Sequence, residues 1–281
     1  LICATIFCPP WRYGRAGYQT AEEAWQIAQE QIACYEQWTA EGLLEKVTKR
    51  GELKLEGGKT KYILLLEGAD AIREADDVGR LYEQGVRIVG LSWRKNRMAG
   101  GTGFPGGISG EGKEVVRAMD RLKMIHDASH LADEAFWELL EMTDGPVMAS
   151  HSNCRAIVPG DRQLSDEMIK ALVEREGVIG MNFYDQFLMR PGDYKKRKCT
   201  MEDLLAHVRH ICELAGNARH VALGTDMDGG VGRDEIPQEM GCISELYKVG
   251  DALSAMGMSD GEVAGIMSGN WMRYLAEHLP D

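Results

Sequence analysis

Four short apolar runs in this 281-residue chain each end in an ionisable side chain: Tyr62–Leu66 in Glu67, Met124–Ser129 in His130, Pro146–Ser150 in His151, and His220–Thr225 in Asp226. Two imidazoles and a carboxylate are first-choice ligands for Zn²⁺ or a similar borderline cation, and a bound metal lowers the pKa of its water toward ~7. Asp226 then suits the role of proton acceptor, with Asp228, just beyond Met227, as the alternative base. A substrate carboxylate needs a counter-charge. Arg162, in Asp161-Arg-Gln-Leu164, offers a bidentate fork after the His151 run, or else a surface salt bridge. Asn182 and Tyr184, just beyond Val178–Met181, are candidates for a polar wall of the same site.

The remaining reactive side chains have plainer readings. His126 precedes His130 by four, which on a strand puts it deeper on the same face, as a buried structural or supporting histidine. His207 and His210, one helical turn apart, read as a solvated pair, and Cys154 as a packing residue.

Positioning such residues from distant parts of the chain requires a regular scaffold. Short runs rich in Val, Ile, Leu and Met begin near residues 1, 62, 87, 124, 146, 178 and 220, as expected for parallel strands buried on both faces. Amphipathic segments separate them. The first, about 21–47, opens with a capping box, Thr20-Ala-Glu-Glu23. Others lie near 71–84, 111–122, 132–142, 165–176 and 200–215, followed by a helical stretch over 237–279 broken near Gly257 and Gly269. Strand-helix alternation of this kind predicts an α/β fold, as an open sheet or a closed barrel whose C-terminal rim carries the chemistry. No strand is followed by G-x-G-x-x-G, and the glycine-rich stretch 100–107 lacks a P-loop lysine, so it reads as a loop. No linker divides the chain, so residues 1–281 read as a single domain. Seven strands leave an eight-stranded barrel one short, and the chain starts at Leu1, inside an apolar run. The expectation is that its first strand is missing.

Composition narrows the partners. Thirty-two basic against 44 acidic residues give a net charge of −12, which repels phosphate backbones and anionic lipid, so neither nucleic acid nor a membrane is an expected partner. Seven dispersed cysteines without a C-x-x-C pair suggest reduced thiols and a cytoplasmic location.

Taken in order, Leu66-Glu-Gly68, Ile125-His-Asp-Ala-Ser-His130, Ser150-His-Ser-Asn153, Asp161-Arg-Gln-Leu164, Gly180-Met-Asn-Phe-Tyr184 and Gly224-Thr-Asp-Met-Asp-Gly229, with Gly269-Asn270, resemble the membrane (renal) dipeptidase family of zinc peptidases. The resemblance implies a (β/α)8 TIM barrel of amidohydrolase type hydrolysing dipeptides at a two-zinc centre, as a possible homodimer. It makes Glu67 the bridging carboxylate, His130 and His151 ligands of one metal, Asp226 the acid/base and Arg162 the partner of the substrate carboxylate. The family's H-x-D pair on the first strand has no counterpart here, and Trp93 stands in Leu91-Ser-Trp93 where many relatives carry histidine, as a further substrate-facing candidate. Another amidohydrolase acting on a lactone or cyclic amide, and a metal-poor binding protein, are the alternative readings; an open-sheet sugar or nucleotide binder fits less well without a phosphate loop.

Overall fold

The computed structural model describes residues 1–10, 17–54 and 58–281, which cluster into two compact units. Unit 1 comprises Leu1–Val147 and Leu275–Asp281; unit 2 is Met148–Tyr274.

Unit 1 is built on parallel strands. β1 (Ile2–Phe7), β2 (Leu44–Lys46), β3 (Thr60–Glu67), β4 (Val86–Gly90) and β7 (Ile125–Asp127) belong to one sheet in which β3 lies between β1 and β4, β7 follows β4, and β2 also pairs with β3. The order agrees with the composition: Tyr62 to Leu66 are all buried, as strands covered on both faces require. Register then does the positioning. Phe7 pairs with Glu67, Glu67 with Gly90 and Gly90 with Asp127, so the strands end together on one edge. Helices α1 (Ala21–Ala40), α2 (Asp76–Glu83), α3 (Gly110–Arg121) and α4 (Asp133–Met142) connect them. The Thr20–Glu23 capping box forms as expected. Helix α1 stops at Ala40, earlier than its pattern suggests, because Gly42 turns the chain at φ 75° into the short strand β2.

Glycines 100–107 do not form the expected loop. They belong to an antiparallel hairpin, β5 (Ala99–Gly101) with β6 (Phe104–Ile108). Gly101 is required by close approach, since a Cβ there would lie 2.2 Å from Ser92 Oγ and 2.6 Å from the Arg94 carbonyl oxygen. Gly101→Ala is therefore expected to cost about 1–3 kcal/mol in urea unfolding, as overpacked sites do. Gly110→Ala, at the open first turn of α3 with nothing within 4 Å, should leave stability unchanged or slightly higher.

In unit 2, β9 (Ile179–Met181) pairs in parallel with β10 (Val221–Leu223), and Ala149 bridges to Ile179. β8 (Val147–Met148) lies at the boundary of the units. Gly180 and Gly224 let the backbones meet, as a Cβ on either would come within 2.0 Å of the Ser150 carbonyl. The helices are α5 (Asp166–Glu174), α6 (Asp185–Leu188), α7 (Met201–Ala215), α8 (Tyr247–Ala255), α9 (Asp260–Ala264) and α10 (Asn270–His278). The break expected at Gly269 is a π turn over Gly265–Gly269 running straight into α10. Asn270 stabilises that junction by donating its amide to the Ala218 and Val221 carbonyls, at 2.8 and 2.7 Å.

Candidate active site

Glu67 ends β3, and His130 follows β7 by three residues. The turn between β7 and His130 is held by the buried Asp127, whose Oδ1 accepts the Ser129 amide at 2.9 Å. His130 itself sits at φ 69°, a left-handed conformation that costs energy in any residue with a Cβ and recurs at functional sites. This brings His130 Nε2 to 3.1 Å from Glu67 Oε1, while its Nδ1 lies 3.1 Å from the Thr102 hydroxyl at the hairpin tip. Trp93 faces the same place: its ring is 6.2 Å from the His130 ring, packs edge-on against Phe7 at 5.0 Å, and lines a small recess with Glu67, Tyr18 and Asp70. A larger cleft of about 510 Å³ shares Lys95 and Asn96 with that recess.

In unit 2, His151 is almost wholly buried, with Nδ1 2.6 Å from the Ser150 hydroxyl. Arg162 is buried too, so the surface salt bridge considered for it does not apply. It donates Nη2 to the His151 carbonyl at 2.6 Å and Nη1 to the Ser152 hydroxyl at 3.0 Å, and its guanidinium lies over the Phe187 ring. Tyr184 stacks edge-on against the same Phe187 at 4.9 Å, so Arg162 and Tyr184 share one aromatic partner.

Asn182 departs from its expected place in a polar wall. It is fully buried, and its Nδ2 donates to Asp226 Oδ2 at 3.0 Å, which makes it a support for Asp226. Asn153 holds Asn182 in turn: its Oδ1 accepts the Asn182 amide and its Nδ2 donates to the Asn182 carbonyl, both at 3.0 Å. Of the two candidate bases, Asp226 is the one with this support; Asp228 is exposed. Asn153 was visible only as part of Ser150-His-Ser-Asn153, and Thr102 gave no signal at all.

Glu67 and His130 in unit 1 and His151 in unit 2 are each of a donor type that binds zinc, and within unit 1 Glu67 Oε1 lies 3.1 Å from His130 Nε2. The donor set, one carboxylate and two imidazoles, fits zinc.

Three of the other histidines have structural partners. His126 is buried with Nε2 2.9 Å from Asp120 Oδ1. His210 Nε2 lies 2.7 Å from Asp166 Oδ1. His207, contrary to the solvated reading, is fully buried: Nδ1 accepts the Cys154 amide at 3.0 Å, so Nε2 carries the proton toward the Leu188 carbonyl. Cys154 is buried, and its Sγ lies 3.6 Å from the His207 carbonyl, a packing position. Burial pulls the His207 imidazole down to about 4, only partly opposed by the Leu188 bond. The unfolded chain, titrating near 6.5, binds this proton first, so the stabilisation is complete above pH 6.5 and is lost as pH falls toward 4. The loss should reach about 3 kcal/mol. Denaturant unfolding across that range should show it, and His207→Gln, which can make both hydrogen bonds without titrating, should flatten it.

A family model described as membrane dipeptidase, peptidase family M19, matches residues 2–278. The chain belongs to the membrane dipeptidase family. It is 31% identical over 220 residues, 75% of this chain and 79% of the other, to a Klebsiella pneumoniae protein described as uncharacterized, in the pqqA 5' region. It spans about half the length of the fungal dipeptidases it matches. The crystal structure of dipeptidase AC, a metallo peptidase of family M19, superposes with a TM-score of 0.86 at 27% identity, covering 99% of this chain and 85% of that one. A Rhodobacter sphaeroides metallo peptidase liganded with a phosphinate mimic of the dipeptide L-Ala-D-Ala gives 0.84 at 26%, covering 98% and 85%. This membrane dipeptidase family member therefore has the TIM-barrel-like α/β fold of M19 dipeptidases, and its family is one of metallopeptidases. Among its described residues no helix is long and apolar enough to cross a membrane.

Proposed function

We propose that this chain is a zinc-dependent dipeptidase that hydrolyses the peptide bond of short substrates. The observation that carries this is the Glu67–His130 pair at the strand ends of a chain whose residues 2–278 match a dipeptidase family model. Glu67, His130 and His151 would hold the cation, which when bound supplies Lewis acidity and an activated water. Asp226, steadied by Asn182, takes the proton from the attacking water and returns it to the leaving amine. Arg162 pairs with the free carboxylate of the substrate and so limits its length, while Trp93 and Tyr184 flank the bound dipeptide. The second zinc that the resemblance implies would need donors beyond this group of three.

A panel of L,L- and L,D-dipeptides, their C-terminal amides and a set of lactones tests the reading on the zinc-loaded chain. Dipeptides with a free carboxylate should be cleaved, their amides cleaved at least tenfold more slowly, and lactones left intact. Turnover of lactones alone would reject it in favour of another amidohydrolase activity. The cysteine usage supports a cytoplasmic setting, and the resemblance supports a homodimer, which fractionation and light scattering respectively would read.

A further inference from the structure

Both histidines of the candidate metal group meet a hydroxyl at the same ring nitrogen. His130 Nδ1 lies 3.1 Å from Thr102 Oγ1, and His151 Nδ1 lies 2.6 Å from Ser150 Oγ. Each histidine is nearly buried, so the imidazole has little water to solvate that nitrogen. Nε2 of His130 is the nitrogen that faces Glu67. A ligating imidazole must leave its coordinating nitrogen unprotonated, which puts the proton on the other nitrogen and requires an acceptor there. A hydroxyl suits this position in both states. It accepts from Nδ1–H when Nε2 is engaged by a cation, and donates to Nδ1 when Nε2–H turns to Glu67 instead. A carbonyl can serve only the first arrangement.

The scaffold around Thr102 is built to hold it. The hairpin tip is tied to the segment beyond His130 by the Gly101–Leu131 bridge and by the Ala132 amide donating to the Gly100 carbonyl at 3.1 Å. Gly101 lies so close to Ser92 and Arg94 that no side chain fits there. The hairpin tip is therefore tied to the segment that carries His130. Ser150 needs no such device, being the neighbour of His151 in sequence, with its own carbonyl wedged against Gly180 and Gly224.

The geometry points to Thr102 and Ser150 as positioning residues that orient the His130 and His151 rings for metal binding. The inference rests on the metal reading of Glu67, His130 and His151. It goes beyond that reading because it gives a function to the glycine hairpin.

The test is zinc affinity of the full chain, measured by competition with a chromophoric chelator, for wild type, T102V, T102S, S150A and H130A, with melting of each metal-free protein alongside. T102V and S150A should each weaken zinc binding about 10–100-fold, the usual effect of losing a ligand's outer partner. T102S should bind within about threefold of wild type, and the metal-free melting points should agree. If either T102V or S150A binds zinc like wild type while H130A has lost it, the positioning role is wrong and the metal reading stands. If H130A binds like wild type, both fall. A T102V defect that comes with a lowered metal-free melting point and is not rescued by T102S also overturns the proposal.

Discussion

Asp226→Asn should lower kcat by about 10²–10⁴-fold on a dipeptide substrate while leaving zinc content unchanged. The amide has the carboxylate's shape and keeps an oxygen for the Asn182 bond, so the site should stay assembled. What disappears, on the proposed function, is the proton acceptor. A general base contributes only if it both reaches the proton and can bind it, and the substitution removes the second property alone. KM should therefore change little. Asn182→Ala gives the complementary outcome: Asp226 keeps its basicity but loses the donor that orients it, so kcat should fall less than in Asp226→Asn. Equal turnover in Asp226→Asn and wild type would remove Asp226 from the reaction.

The second large effect concerns the metal group. Glu67→Ala and His151→Ala should each weaken zinc binding by more than the roughly 10–100-fold that losing an outer partner costs, because the proposed function makes each of them a ligand. Activity should disappear with the metal and should not return on adding moderate excess zinc. Elemental analysis of the 281-residue chain should give about one zinc per chain in wild type and a small fraction of that in the variants. Two zinc ions per chain would require ligands outside the group of three. Chelation of the wild-type protein should abolish turnover reversibly, which separates metal loss from unfolding.

The strand ends could be read one residue at a time. A buried parallel strand must be apolar on both faces, so an ionisable residue that follows such a run marks the strand's end, as Glu67, His130, His151 and Asp226 do for β3, β7, β8 and β10. The Thr20–Glu23 cap was equally local, since both of its partners lie within one helical turn. Non-local features escaped. Strands β2 and β5 are three residues long and too short for any periodicity to show, and the glycines of the hairpin look like loop glycines until Ser92 and Arg94 are seen against Gly101. His207 lies on an outer helix, where a histidine reads as solvated, yet it is buried between Cys154 and Leu188.

The sequence by itself determined which side chains end the strands and what chemistry they are suited to, because hydrophobic burial and ligand preference are properties of residue types. Only the tertiary structure decided what supports them: Thr102 against His130, Ser150 aimed at the ring of His151, and Asn153 gripping Asn182 behind Asp226. These are hydrogen bonds. Their energy depends on ångström-scale distance and on angle between groups as much as 44 residues apart, as Asn182 and Asp226 are, and neither quantity is encoded in residue type or spacing.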